Sequence, residues 1–469
     1  MLAQIARMLL QLGSVMVLAR ILSPYDYGLM TLALTVVILG EVFRDFGLST
    51  AAIQAPTISR GQQSNLLWIN VALGLTLAVV ALIGAPLLRV VGPYGGAVGL
   101  LQVMSATFVI NGLMAQYRAD LSRRLRFGAI AGSDLAGQTV GVTLAVATAL
   151  GGAGVWALAI QQIAAVTITA VMIIAFAGWL PRAPDRGSDV RPMLRFGVGM
   201  VGTQMLGYIN NNIDTYTVAW RFGPVSLGTY SRAFQVLMQP LNQTLVPTST
   251  VAVPLLSRLE PGGEAAARLL VRGQAALGYT VVAVTAFAFG AATPIVALAL
   301  GPTWQDATPL FAALACAGAL QALGYVSYWT FVSRGLSAWL FRYSLVSVLI
   351  RAICVLIGSA GGVLGAAIGY AAATAIQMPL GVFMLHRRTP IPARALLTGA
   401  ARALSAAMVV GLVTFAIQRM SATMPSLAQL AVCAAGTLGV YLVLAVIVPP
   451  VRRDLRGVAQ FARMVLRRS

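Results

Sequence analysis

The sequence predicts an all-α polytopic membrane protein, and three observations predict it. Fourteen apolar stretches occupy nearly all of the 469 residues, almost every charge falls in the short gaps between them, and the chain is 59% hydrophobic but only 9% charged. A hydrocarbon core of about 30 Å takes roughly 20 helical residues per crossing, and every backbone polar group inside it must be satisfied internally. About 14 transmembrane helices account for the whole chain on that rule. The longest polar gap, Trp179 to Arg195, leaves no room for a folded soluble domain.

In order, the expected spans are 2–19, 29–43, 64–88, 95–117, 129–150 and 154–178, a first six-helix lobe over residues 1–178. A cytoplasmic loop at 179–196 leads to spans 197–220, 229–256, 273–299, 307–332, 343–360 and 363–385, a second lobe over 197–385. After a loop at 386–397, spans 398–418 and 426–448 form two additional helices within 398–448, and a basic tail covers 449–469. Each stretch is read as helix because its apolar run exceeds strand length, and the Gly, Pro and Arg clusters between stretches mark the turns. The tail can be written as a basic amphipathic helix with Leu455, Val458, Phe461 and Val465 on its apolar side, suited to an anionic bilayer surface.

All 32 basic residues are Arg, and the formal net charge is +20. The gaps that follow even-numbered spans, together with Arg7 and the tail, hold 26 of those 32. Basic residues mark the cytoplasmic side, so both termini are expected there. The charge is thus a topological signal, and no nucleic acid is expected as a partner. Cys316, Cys354 and Cys433 lie singly in apolar stretches, and His386 is the only histidine. No metal site, no cofactor and no His-based triad is expected from that inventory.

An internal repeat is visible. Pro24 and Gly28 recur as Pro224 and Gly228 at an offset of 200 residues, Gly154-Val155 recurs as Gly362-Val363, and Leu121-Ser122 as Leu336-Ser337. The repeating unit is six spans. An even unit gives both copies the same orientation, so the two six-helix lobes are expected to be related by a pseudo-two-fold along the membrane normal, enclosing a cavity that opens alternately to either side.

Polar residues at membrane depth supply the candidate site. In span seven, Gln204, Tyr208, Asn210, Asn211, Asn212 and Asp214 cover two adjoining helical faces. In span eight, Arg232, Gln235, Gln239, Asn242 and Gln243 form one stripe, and Pro240, Pro247 and Pro254 recur every seven residues and are expected to bend the helix. Unpaired amides in hydrocarbon cost several kcal/mol each, so such faces meet either a neighbouring helix or a hydrated cavity. Arg20, Arg221 and Arg351 are further candidate contacts for an anionic cargo. Glu41, Asp134 and Asp214 are candidate ion-coupling carboxylates, because intramembrane ions pair or serve transport. Asp134 and Arg351 sit in equivalent spans and are candidates to pair with each other.

Four stretches resemble the polysaccharide transporter branch of the multidrug/oligosaccharidyl-lipid/polysaccharide exporter superfamily. They are Leu18-Ala19-Arg20-Ile21-Leu22-Ser23-Pro24-Tyr25-Asp26-Tyr27-Gly28-Leu29, Asp45-Phe46-Gly47-Leu48, Gly154-Val155-Trp156-Ala157-Leu158, and Leu227-Gly228-Thr229-Tyr230-Ser231-Arg232-Ala233-Phe234. The resemblance implies a multi-pass flippase of the bacterial inner membrane. Its implied cargo is a lipid-linked oligosaccharide, a polyprenyl-diphosphate sugar repeat unit for O-antigen, capsule or exopolysaccharide. The lipid bilayer and other polysaccharide-assembly proteins are the implied partners. Amides and Tyr suit sugar hydroxyls, and Arg suits a diphosphate. The rivals are a cation-coupled multidrug or metabolite antiporter of the same superfamily and a membrane-embedded polysaccharide-assembly enzyme. An antiporter of organic cations calls for an acidic, aromatic cavity, and an enzyme for acid/base residues in a sizeable loop; the sequence carries neither, so no enzyme is expected.

Overall fold

The computed structural model describes residues 2–45, 47–185 and 187–454, so the amphipathic reading of Leu455, Val458, Phe461 and Val465 lies outside the described residues. Helices joined by short turns make up the fold, with no strand among the described residues. Nine helical stretches among them are long and apolar enough to cross a membrane. The fourteen expected spans fall largely on helical residues, with 95–117 broken at Ser105 and 273–299 at Ala291. The chain divides into two compact units, Met1–Ser231 and Arg232–Ser469.

The first unit holds α1 (Leu2–Ala19), α2 (Pro24–Asp45), α3 (Leu48–Gln54), α4 (Arg60–Gly84), α5 (Leu88–Val91), α6 (Ala97–Met104), α7 (Ala106–Arg123), α8 (Phe127–Leu150), α9 (Trp156–Ala177) and the first part of α10 (Arg191–Ser257). α2 starts well before the expected span because its cap is Ser23: the Asp26 amide donates to the Ser23 hydroxyl, and the Asp26 carboxylate accepts from the Ser23 amide. Pro24 then takes the first helical position, where its missing N–H costs nothing. α4 likewise begins behind a capping box, with Gln62 N–H donating to Ser59 Oγ at 3.1 Å and Ser59 N–H to Gln62 Oε1 at 2.9 Å.

Small residues set the helix packing. In α8, Gly137, Gly141, Ala145 and Ala149 recur every fourth position and are buried, with Gly137 and Gly141 against the carbonyls of Ala165 and Gln161 on α9. Lipid gives no hydrophobic drive between helices, so close backbone approach at such stripes is the main source of association.

The stretch 179–190 is fastened along α4. The Asn65 amide donates to the carbonyls of Asp185 (2.7 Å) and Ser188 (3.1 Å) and accepts from Asp185 N–H. Trp68 Nε1 donates to Arg182 O, Gln62 Nε2 to Asp189 O, and the Arg60 guanidinium lies over the Trp179 ring. The Ser188 hydroxyl and the Gly187 N–H both donate to Asp185, holding its carboxyl below the ordinary range. This segment therefore belongs structurally to the first unit.

α10 runs for 67 residues with one break, at Gly223 (φ 79, ψ −174). Only glycine takes that backbone conformation without strain. The expected gap at 221–228 thus contracts to a single residue, and Pro224 opens the following helical segment as Pro24 opens α2. The two segments then cross, each glycine lying against the other's proline: Gly28 against the Pro224 carbonyl and Gly228 against the Pro24 carbonyl. Thr31 Oγ1 donates to Ser231 Oγ at 2.9 Å, again 200 residues apart. Reciprocal contact between residue i and residue i+200 is what a local two-fold produces, so the repeat read in the sequence meets itself here. Nearby, Tyr94 in the α5–α6 turn donates its hydroxyl to Ala219 O at 2.6 Å, and burial pushes its phenol up to about 12.

The second unit holds the rest of α10, α11 (Glu264–Gly290), α12 (Ala292–Ala299), α13 (Ala307–Ser333), α14 (Ser337–Gly358), α15 (Gly362–His386), α16 (Ala393–Met420) and α17 (Ser426–Ile447). Helical torsions persist through Pro240, Pro247 and Pro254. Hydroxyls of Thr244, Thr250 and Ser257 donate to the carbonyls of those three prolines at 2.9, 2.7 and 2.9 Å. Such back-bonding bends a helix without breaking it. α17 is held on α16 by the Thr414–Thr437 hydroxyl pair and by Gln429 Nε2 donating to Gln418 O.

Candidate substrate-binding site

In the first unit, part of the span-seven stripe is sewn into the protein. The Tyr208 hydroxyl donates to the Thr35 carbonyl on α2 and lies 3.1 Å from the Tyr216 hydroxyl, with the two rings edge-on at 73°. Asn212 Nδ2 donates back to Tyr208 O at 2.9 Å. Asp214, fully buried, accepts from the Tyr230 hydroxyl at 2.5 Å. Gln204 and Asn210 are half-buried, while Asn211 is exposed. Arg20 is exposed at the turn that precedes α2, and Arg221 is exposed on α10 two residues before Gly223.

The charges of this unit are closely matched. Glu41 accepts from Arg44 Nε at 2.5 Å and from Asn111 Nδ2 at 2.8 Å, and Arg44 also donates to Asn70 Oδ1. Asp134 accepts from Arg118 at 2.6 Å and lies 3.4 Å from Arg7. Asp134 therefore has local partners: the α7–α8 hairpin folds Arg118 onto it, and α1 adds Arg7. Asp120 meets Arg60, Arg124 and Gln63. Asp26, Asp45, Asp185 and Asp189 accept from nearby serine hydroxyls or backbone amides. Every carboxylate of the unit thus has a donor.

A cleft of about 210 Å³ lies between α2, α3 and α7, lined among others by Arg44, Ser49, Asn111, Arg118 and Ser122. Sequence reasoning missed it. The available signal was the α7 face 111–115–118–122, where an amide, a guanidinium and a hydroxyl recur at helical spacing; its partner Arg44 looked like an end-of-span anchor.

In the second unit the span-eight stripe is arranged differently. Gln235 and Gln243 have their side-chain carbonyl oxygens buried, with no protein donor among the described residues. Asn242 is exposed, its Oδ1 accepting from Gln321 Nε2 on α13 at 3.0 Å. Arg232 and Gln239 are half-buried. Arg351 sits elsewhere in the unit, only 6% exposed: its guanidinium donates to Gln377 Oε1 at 3.0 Å and stacks 4.6 Å over the Tyr370 ring. Gln377 in turn donates to Ser347 O. In this state Arg351 ties α14 to α15.

Comparison with known proteins follows the same line. A family model described as polysaccharide biosynthesis protein matches residues 17–309. The lipopolysaccharide biosynthesis protein WzxC of Escherichia coli (strain K12) is 24% identical over 385 residues, covering 79% of this chain and 76% of that protein. The succinoglycan biosynthesis transport protein ExoT of Rhizobium meliloti (strain 1021) is 26% identical, covering 75% and 72%. Among solved structures, the lipid II flippase MurJ in an inward closed conformation superposes with a TM-score of 0.74 at 13% identity, covering 94% of this chain and 98% of that one.

Proposed function

The chain belongs to the polysaccharide biosynthesis protein family, and from that premise we propose that it is a flippase that carries a lipid-linked oligosaccharide across the bacterial inner membrane by alternating access. The observation that carries this reading is the span-eight stripe. A buried glutamine carbonyl without a donor costs about 1–3 kcal/mol, and a cargo rich in hydroxyls removes that cost on binding. Gln235, Gln239, Asn242 and Gln243 then hold the sugar.

The diphosphate falls to arginine. Arg44 and Arg118 line the α2–α3–α7 cleft with an amide and two hydroxyls beside them, the donor set that recognises phosphoryl oxygens. Arg20, Arg221 and Arg232 are the additional guanidiniums along α2 and α10. The matched carboxylates of the first unit speak against a cavity built for organic cations. Asp214, which the sequence also offers for ion coupling, accepts from Tyr230 within the repeat crossing and acts as a structural contact, an assignment that Tyr230→Phe tests. The Arg distribution supports both termini in the cytoplasm, and the proteins that make and polymerise the repeat unit are the partners this role implies.

The test is leaflet-specific detection of lipid-linked oligosaccharide in membrane vesicles with and without the protein. Protein-dependent appearance on the far leaflet, abolished in Gln235→Leu/Gln243→Leu, supports the reading. Unchanged leaflet distribution with folded protein present overturns it.

A further inference from the structure

One cluster in the second unit has no part in that cargo path. Trp339, at the start of α14, has two guanidiniums stacked on its ring: Arg342 at 4.8 Å and Arg388, just beyond α15, at 4.1 Å from the ring centroid. Arg387 stacks on Phe383 one turn earlier. The two cations on one indole are closer together than the sum of those distances, well inside a screening length of ~10 Å. Among the described residues no carboxylate answers their repulsion. The unit's ion pairs are Glu264–Arg268 and Asp454–Arg402, and no ion pair involves Arg342, Arg387 or Arg388 among the described residues.

The face that continues from Arg342 along α14 tells what supplies the anion. Leu345, Leu349, Ile353 and Ile357 follow at helical spacing, and they are 43%, 56%, 55% and 71% exposed. An exposed apolar stripe on a membrane-spanning helix lies against acyl chains, and a cationic, aromatic cap at its end sits at headgroup level. A soluble anion would use only the cap. An amphiphile with a negative head and two tails fits both parts.

We propose that Trp339, Arg342 and Arg388 form a binding site for the phosphate of an anionic phospholipid whose acyl chains run down the α14 stripe. The indole holds both guanidiniums in place, so the cost of ordering two long side chains is met before the lipid arrives. By the distribution of Arg along the chain, this end faces the anionic inner leaflet.

The test needs no cargo, so its outcome is independent of the transport reading. Full-length protein in neutral detergent is exposed to phosphatidylglycerol, phosphatidylcholine or inorganic phosphate, and retained molecules are counted by native mass spectrometry. Wild type should retain phosphatidylglycerol in preference to phosphatidylcholine. Arg342→Ala/Arg388→Ala should weaken that retention roughly thirty-fold, as expected for two headgroup-facing cations, with the melting temperature unchanged. Trp339→Ala should weaken it about three-fold, by freeing the guanidiniums. Arg268→Ala, which removes a cation already paired with Glu264, should leave retention as in wild type. Equal loss in Arg268→Ala would show a diffuse charge effect and overturn the site. Inorganic phosphate displacing the lipid at millimolar concentration would show that the stripe contributes nothing, and overturn it equally.

Discussion

The two polar stripes of α10 carry similar residues and do opposite things. Around Gly223, the preceding stripe turns inward: Tyr208, Asn212 and Asp214 bond to Thr35, to the helix backbone and to Tyr230. The following stripe leaves the carbonyl oxygens of Gln235 and Gln243 without protein donors among the described residues. A run of amides and hydroxyls in a membrane span therefore does not by itself mark a cavity. What separates glue from binding surface is whether neighbouring helices bring complementary groups, as α2 does for Tyr208.

Five substitutions break or sharpen that contrast, the first two by attacking the crossing that holds the inward stripe in place. Gly28→Ala puts a methyl group into the Pro224 carbonyl, and Gly228→Ala does the same at Pro24. Each should cost about 3 kcal/mol, the upper end for overpacking, and show as loss of monodisperse protein in size-exclusion chromatography. Full tolerance of both would deny the close approach.

Tyr230→Phe removes the donor to fully buried Asp214. The expected cost is about 2 kcal/mol, measured as a lower melting temperature, with transport falling only as far as folded protein does. Selective loss of transport at unchanged stability would move Asp214 from glue to coupling group.

Tyr94→Phe should cost about 1 kcal/mol through the lost bond to Ala219 O. The folded phenol is raised from 10 to about 12, so its neutral form is the one the fold favours. That contribution is fully present below pH 10 and is lost as pH rises through 12. Alkaline melting curves of wild type should therefore converge on those of Tyr94→Phe over that window. Curves that stay parallel would contradict the assignment.

Gln243→Leu has the smallest expected effect on stability. Replacing an undonated buried amide by an apolar group of similar size should leave the melting temperature unchanged or raise it slightly, by at most about 1 kcal/mol in stability. Transport should fall sharply. This is the inverse of Tyr230→Phe, and the pair measures the contrast directly.

Much of the fold was legible in the sequence because lipid makes it so. Twenty-residue apolar runs in a chain with charges confined to gaps have few alternatives to helices, and Pro24/Gly28 and Pro224/Gly228 betrayed the repeat. The helix break at Ser105 was not legible, since no Gly or Pro lies beside it, while Gly290 and Pro294 marked the break at Ala291 but lay inside a continuous apolar run. The short α3 was missed because seven residues are too few to show a helical period.

The candidate site was legible in chemistry but not in pairing. Sequence spacing put Tyr208 and Asp214 on polar faces, yet which face met α2 depended on the crossing. Asp134 and Glu41 stood out as intramembrane carboxylates, but Arg118 meets Asp134 only through the α7–α8 hairpin, and Asn111 meets Glu41 only through the packing of α7 on α2. Arg351 was visible as an intramembrane cation, while the Gln377 and Tyr370 that hold it come from the next helix.

The central claim is that the stripe over 235–243 receives the cargo while the stripe over 208–217 holds the protein together. The most direct measurement is transport per folded molecule, obtained by leaflet-specific detection of lipid-linked oligosaccharide in vesicles whose content of folded protein is quantified. Gln235→Leu/Gln243→Leu should lose most of that specific activity at wild-type stability, and Tyr230→Phe should keep it. The reverse pattern, with full specific activity in the glutamine variant and loss in Tyr230→Phe, would contradict the account.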